Sequence, residues 1–80
     1  MKLKYKYIHF EETSEIVGGK VVWVCKDNKR NDILSKIFYY KLWREYCFTQ
    51  EQQDVIFDDG CLADIIDFIK QLNNNIGIIK

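Results

Sequence analysis

The chain contains few residues of the types that perform covalent chemistry. Cys61 falls near the third position of a predicted helix, where the helix dipole can lower the pKa of a thiol. A cysteine nucleophile also needs a base, and nothing in the sequence places the single imidazole, His9, nearby. Because free cysteine more often packs as a small apolar residue, we predict no catalytic residue and no enzyme activity.

The other reactive or ligating residue types have structural explanations. Asp58 and Asp59 form an acidic pair, but such pairs at a helix start usually cap the helix. Gly18 and Gly19 are not followed by the Gly-Lys-Ser/Thr of a phosphate-binding loop. Three widely spaced cysteines and one histidine match no zinc-binding pattern. We therefore predict no metal and no cofactor.

Residues suited to binding are better represented than residues suited to catalysis. Residues 37–48 contain six aromatic residues and one arginine, and Tyr, Trp and Arg dominate the binding hot spots of protein interfaces. The predicted helix adds an acidic outer face. We predict a protein-binding surface that combines the two groups: Tyr39, Tyr40, Trp43, Arg44, Tyr46, Asp59, Asp64 and Asp67.

Nucleic-acid binding is the alternative function. A sheet that presents aromatic rings among cations can stack bases and hold phosphates. The candidates are a lysine stripe on the first predicted strand and the two cations beside the tryptophan: Lys2, Lys4, Lys6, Lys41 and Arg44. A pI of about 6.5 and the lack of an RNA-binding signature weigh against this alternative.

Size, composition and charge define the class of protein. Eighty residues, 48% hydrophobic and 30% charged, predict one small globular domain over residues 1–80. No apolar run approaches the roughly 18 residues that span a bilayer, and the N-terminus does not resemble a signal peptide, so we expect a cytosolic protein. Residues 1–44 hold ten Lys and Arg against five Asp and Glu, whereas residues 45–80 hold two against seven. Such a split can steer a charged partner.

Hydrophobic periodicity predicts four strands. Residues 2–10 alternate lysines with bulky side chains, residues 20–26 are apolar on both faces, and residues 33–40 and 44–49 form a hairpin around a tight turn at 41–43. The polar, acidic residues 11–15 are predicted to form a loop. Because short connections favour pairing of neighbouring strands, we predict an α+β fold. It is a four-stranded antiparallel β-meander with one C-terminal helix packed on one face (ββββα).

The predicted helix covers residues 59–73. Asp58 is a suitable N-cap, and apolar residues between positions 61 and 72 recur at helical spacing. Three asparagines at 73–75 are expected to end the helix in left-handed geometry. The apolar tail of residues 74–80 should then dock on the sheet or fray.

The number of aromatic residues exceeds what this small fold can bury. A helix of about 14 residues is about 21 Å long and covers one face of the sheet, yet the chain has five Tyr, five Phe and two Trp. Some of the following should therefore lie on the uncovered face: Tyr5, Tyr7, Trp23, Tyr39, Tyr40, Trp43 and Tyr46. There are two alternatives to a foreign protein partner. The rings can lie flat with their polar tips in water, or two copies can stack as a homodimer.

Two strings of residues resemble a known family. The predicted hairpin has Ile37, Tyr39, Tyr40, Trp43, Arg44, Tyr46 and Phe48, and the predicted helix has Cys61, Leu62, Asp64, Ile65, Phe68, Ile69, Leu72 and Asn73. This pattern resembles a family of small uncharacterised bacterial proteins, often on phage or prophage genomes, in which Trp usually stands at position 39. The resemblance implies a phage-associated protein that binds and inhibits a host protein, such as a nucleic-acid enzyme, in an anti-defence or anti-CRISPR-like role.

Overall fold

The chain forms one antiparallel sheet followed by one helix. The computed structural model describes residues 1–79, with the side chains of residues 1–75. The elements are β1 (Ile8–Val17), β2 (Lys20–Asp27), β3 (Ile33–Tyr40), β4 (Glu45–Gln50) and α1 (Asp59–Ile79). The strands lie in the order β1-β2-β3-β4, and each pairs antiparallel with the next. The predicted ββββα meander is therefore confirmed.

One face of the sheet, here called the covered face, packs against α1. Phe10, Cys25 and Ile37 project from this face into a core that includes Phe68 of the helix. The rings of Phe10 and Phe68 stack with centroids 4.0 Å apart, and the Trp23 ring meets Phe68 edge-on at 5.2 Å. The register thus decides which face the helix covers, because alternate residues of each strand point to opposite faces.

The opposite face, here called the open face, has no second layer of secondary structure. Val22 and Val24 project from it, yet they are only 1% and 4% exposed. Glu11 and Lys36 are the cross-strand neighbours of Val24 on either side. Because long charged side chains can lay their apolar stems over a surface while the charged ends stay in water, these side chains shield the valines.

The prediction of a first strand over residues 2–10 is wrong, since β1 begins at Ile8. The preceding segment folds back on the strand: the Phe10 N–H donates to the Leu3 carbonyl oxygen at 2.9 Å. Tyr5 is buried, and its hydroxyl donates to Asp67 Oδ2 of the helix at 2.7 Å. The alternating pattern misleads here because Tyr5 is buried by a distant helix rather than by strand pairing.

The prediction of a loop over residues 11–15 is also wrong, because β1 continues through them. Lys26 Nζ donates to Glu11 Oε1 at 3.1 Å, and Lys36 Nζ donates to Glu15 Oε1 at 3.3 Å. Opposite charges on a sheet face stabilise it. Acidic residues are therefore compatible with a strand that faces two lysines.

The helix begins at the predicted residue. Asp58 Oδ1 accepts a hydrogen bond from the Cys61 N–H at 2.8 Å, which is the geometry of an N-cap. The same hydrogen bond is the largest cause of the lowered pKa of Asp58.

The predicted end of the helix is wrong, because α1 continues past the three asparagines to Ile79. Leu72, Ile76 and Ile79 are spaced by four and three residues, so the apolar spacing of a helix continues through the polar run. The docking or fraying expected of residues 74–80 falls largely outside the described side chains.

Candidate functional site

The β3–β4 hairpin brings the predicted aromatic and arginine residues to one end of the sheet. Tyr40 pairs with Glu45, which leaves residues 41–44 as the turn. The N–H groups of Trp43 and Arg44 both donate to the Tyr40 carbonyl oxygen, at 3.1 and 2.9 Å. Arg44 has a φ of 56°, a left-handed conformation that few residues other than glycine adopt. The predicted tight turn is confirmed, and hydrogen bonds fix its backbone.

The turn presents an exposed apolar surface. Trp43 is 66% exposed and Leu42 is 78% exposed. The Tyr40 ring meets the Trp43 indole edge-on with centroids 5.0 Å apart, and Phe38 contacts Tyr40 in the same way at 6.2 Å. The indole thus packs against Tyr40 at one edge, although most of it faces water. We refer to Tyr40, Leu42, Trp43 and Arg44 as the hairpin tip.

The other two predicted aromatic residues lie on the covered face. Tyr39 and Tyr46 are paired across β3 and β4, and their ring centroids are 5.6 Å apart. The Tyr46 N–H donates to Asn73 Oδ1 of α1 at 2.7 Å. Burial raises the pKa of Tyr46, and the nearby Tyr39 and Glu12 raise it further. The predicted residues of the hairpin thus share one end of the molecule but are divided between its two faces.

The predicted acidic residues do not adjoin the hairpin tip. Asp59 lies in the first turn of α1. Cys61 of the same turn lines a pocket with Asp27 and Ile33. Because Ile33 begins β3 and the hairpin tip follows its end, this turn lies far from the tip. Asp67 Oδ2 accepts the hydrogen bond from the tyrosine hydroxyl of the N-terminal segment. Asp64 is half-buried. The hairpin and the acidic residues therefore do not form one continuous surface.

The predicted lysine stripe is wrong. Lys2, Lys4 and Lys6 precede β1, in a segment that is not a strand, so they do not line a sheet face. The Lys2 ammonium instead lies 4.5 Å from the centroid of the Tyr5 ring. The other two predicted cations lie in the turn beside Trp43.

The structure does not bring the residues considered for covalent chemistry together. Burial raises the pKa of the Cys61 thiol, and a hydrogen bond with Asp58 raises it further, so the lowering expected from the helix dipole is not found. His9 Nδ1 lies 2.7 Å from Asn28 Oδ1, and its Nε2 lies 2.8 Å from Glu11 Oε2. Both ring nitrogens are thus engaged by other side chains. Within the described part of the chain, no three His, Cys, Asp or Glu residues are grouped as metal ligands.

Two charged residues near the hairpin were not predicted from the sequence. Lys20 Nζ lies 5.2 Å from the centroid of the Tyr39 ring, and Glu12 is the cross-strand partner of Trp23. The glycine pair before β2 is the sequence feature that could have indicated that this turn lies close to the hairpin. Gly18 has a φ of 63°, and a Cβ added to it would lie 2.5 Å from the Tyr39 carbonyl oxygen. The β1–β2 turn therefore packs against the end of β3, a contact that depends on strand register.

Comparison with known proteins identifies no relative of this chain. No protein-family model, curated protein or solved structure matches the chain. The fold and the site define a small α+β protein with an exposed aromatic hairpin tip, and the resemblance to phage-associated bacterial proteins stays a prediction. No helix in the described region is both long enough and apolar enough to cross a membrane.

Proposed function

We propose that the chain is a non-enzymatic protein that binds another protein through the hairpin tip. The observation that carries this proposal is the exposure of Trp43 on a turn whose backbone is hydrogen-bonded and whose indole packs against Tyr40. Trp, Tyr and Arg are the residues most enriched at binding hot spots. A surface that is already ordered loses less conformational entropy on binding.

The composition of the hairpin tip favours a protein partner over a nucleic acid. Phosphate contacts supply most non-specific nucleic-acid affinity, and here two cations, Lys41 and Arg44, stand beside Glu45. Leu42 and Trp43 instead expose a contiguous apolar surface, which is typical of a protein interaction site.

The open face is poorly suited to stacking on a second copy of the chain. Such a homodimer would bury the ion pairs of Lys26 with Glu11 and of Lys36 with Glu15. Removing paired charges from water often costs as much as their attraction returns. A foreign partner that contacts the hairpin tip avoids this cost.

The proposed role is an anti-defence one, namely inhibition of a host protein in the cytosol, with a nucleic-acid enzyme of the host as the candidate target. The support for inhibition and for a phage setting is the family resemblance alone. The support for the cytosol is the set of three free cysteines, since free thiols are typical of reducing compartments.

The test is affinity capture from a bacterial lysate by three tagged proteins. These are the wild type, Trp43→Ala, and Ile56→Ala as the matched control. Ile56 is 93% exposed and lines a pocket at the opposite end of the sheet. We expect wild type and control to capture the same protein, and Trp43→Ala to lose roughly 2 kcal/mol of binding, which is about 30-fold in affinity. Capture of the same protein by all three would overturn the proposal.

A second measurement tests nucleic-acid binding directly. Labelled single strands are mixed with micromolar protein at low salt, and their mobility is followed. We expect no change. A shift that weakens steeply with salt, and that Lys41→Glu with Arg44→Glu abolishes, would instead establish the alternative function.

A further inference from the structure

A groove on the covered face lies beside the hairpin tip. Its volume is about 450 Å³, and its described walls include Glu12, Lys20, Trp23, Tyr46 and Leu72. Tyr39 adjoins it through the ring contact with Tyr46. We refer to this feature as the aromatic groove.

Glu12 contributes a carboxylate to the aromatic groove. This side chain is exposed, and among the described residues it takes part in no ion pair. Burial, Tyr39 and Glu12 all raise the pKa of Tyr46, so its phenol stays neutral at physiological pH. The groove therefore combines neutral aromatic rings with one carboxylate that forms no ion pair with any described side chain.

A cation of the chain already uses one of these rings. Lys20 Nζ lies 5.2 Å from the centroid of the Tyr39 ring, within the roughly 6 Å over which a cation is attracted to an aromatic face. Trp23 and Tyr46 offer further ring surface in the same groove. An external cation could contact these rings and Glu12, in competition with Lys20.

We propose that the aromatic groove binds a cationic side chain of the partner protein, arginine in preference to lysine, with Glu12 as the counter-charge. A guanidinium is planar, stacks on aromatic rings and forms paired hydrogen bonds with a carboxylate. An anionic group placed against the Trp23 ring would be repelled by the cross-strand neighbour Glu12, and a purely apolar group there would partly desolvate that carboxylate without replacing its hydrogen bonds.

This inference rests on the proposed function and adds the chemistry of the partner. Tyr39 and Tyr40 are consecutive residues of β3 that point to opposite faces. The aromatic groove and the hairpin tip therefore lie at the same end of the sheet but on opposite faces, and a partner that reaches around this end can contact both. The partner surface should place an arginine beside the pocket that receives Trp43.

The test uses a capped Gly-Arg-Gly peptide and a matched peptide with citrulline, which keeps the shape of arginine but has no charge. Nuclear magnetic resonance follows the indole N–H of Trp23 during each titration. We expect saturable shifts with the arginine peptide at millimolar concentration and binding weaker by at least about tenfold with citrulline, given the strength of cation–aromatic and ion-pair contacts. Equal binding of the two peptides, or no shift at Trp23, would overturn the inference.

Three variants locate the binding site. Glu12→Gln should weaken the arginine peptide by about three- to fivefold, the range of a partly exposed ion pair. Lys20→Gln should strengthen it by about two- to fivefold, because the internal competitor is removed. Glu45→Gln changes an exposed carboxylate of the open face and should have no effect. Equal effects of Glu12→Gln and Glu45→Gln would show that the charge acts non-specifically, and would count against the groove.

The two proposals fail separately. Trp43→Ala should bind the arginine peptide as wild type does, although it loses the captured protein. If the arginine peptide binds but Trp43→Ala still captures the protein, the groove proposal stands and the hairpin-tip proposal is wrong. If Trp43→Ala loses the captured protein but the arginine peptide does not bind the wild type, the hairpin-tip proposal stands and the groove proposal is wrong.

Discussion

The two faces of the sheet exclude water by different means. On the covered face, the rings of Phe10, Trp23 and Phe68 contact one another beneath α1. On the open face, Val22 and Val24 are equally buried, but the neighbours of Val24 across the strands are the charged residues Glu11 and Lys36. In a sheet of this size, central residues of both faces can therefore be buried although only one helix is present.

Of the aromatic residues expected on the uncovered face, Tyr40 lies there, whereas Tyr39, Tyr46 and Trp23 lie on the covered face. Lys26 and Lys36 are only 19% and 31% exposed in their side chains, so most of each stem contacts protein. Three rings outside the covered face, those of Phe38, Tyr40 and Trp43, contact one another in sequence at the β3–β4 end of the sheet. The two faces should respond differently to truncation, to pH and to salt.

The largest expected effect comes from truncating the centre of the covered face. Phe68 is fully buried and stacked on Phe10, so Phe68→Ala should cost about 3–5 kcal/mol of unfolding free energy. The whole domain is expected to have only about 4–12 kcal/mol. Phe38→Ala on the open face, where the ring is half-buried, should cost roughly 1–2 kcal/mol. Urea unfolding followed by tryptophan fluorescence measures both, and equal losses would mean that the faces are equivalent.

The second prediction concerns pH. Burial is the largest cause that raises the pKa of Cys25, from an ordinary 9.0 to about 11, because the thiolate is disfavoured in the core. The unfolded chain then releases this proton at lower pH than the folded chain. The stabilisation is complete below pH 9 and is lost as the pH rises to about 11, a fall of roughly 2–3 kcal/mol.

The control for this prediction is Cys25→Ala, measured by urea unfolding across the same pH range. Its unfolding free energy should fall less steeply, although Tyr5 contributes in the same direction, since burial and Asp67 raise its pKa too. Cys47 of the open face is only half-buried, and although burial raises its pKa too, Cys47→Ala should change the slope less than Cys25→Ala does. An unchanged slope in Cys25→Ala would contradict the prediction.

The elements that could be predicted from the sequence are those fixed by local residues. β3 has the predicted bounds because the hydrophilic residues 27–32 precede it and the tight turn that begins at residue 41 follows it. The start of α1 follows from one side chain, since Asp58 caps the helix by accepting a hydrogen bond from the N–H of Cys61, three residues further along the chain. β1 was misplaced because the partner of Tyr5 is Asp67, 62 residues away, and no local pattern reports such a contact.

The same distinction applies to the candidate site. The exposed Trp43 could be predicted because a tight turn places its own residues at the surface. The aromatic groove could not, since Glu12, Trp23 and Tyr46 come from three strands and meet only through the register. A shift of one residue would move each strand's side chains to the other face.

The third prediction tests whether lysine stems cover the open face. Val24→Ala should cost roughly 1–2.5 kcal/mol of unfolding free energy, because two buried methyl groups are lost. Lys36→Ala removes both charge and stem and should cost about 1 kcal/mol or less. Lys36→Met keeps an apolar stem and should stay closer to wild type. Urea midpoints at low and high salt measure these differences, and identical values for Lys36→Met and Lys36→Ala would mean that the charge alone matters.

The smallest expected effect is at the hairpin tip. Trp43→Ala should lower the unfolding free energy by less than about 1 kcal/mol, because the indole is mostly in water and loses one edge-on contact with Tyr40. The same urea unfolding experiment gives this value beside that of Phe68→Ala. A small loss means that any defect of Trp43→Ala in capturing a protein comes from recognition and not from unfolding. If the loss instead approached that of Phe68→Ala, Trp43 would be part of what holds the hairpin together, and its exposure would no longer single it out for binding.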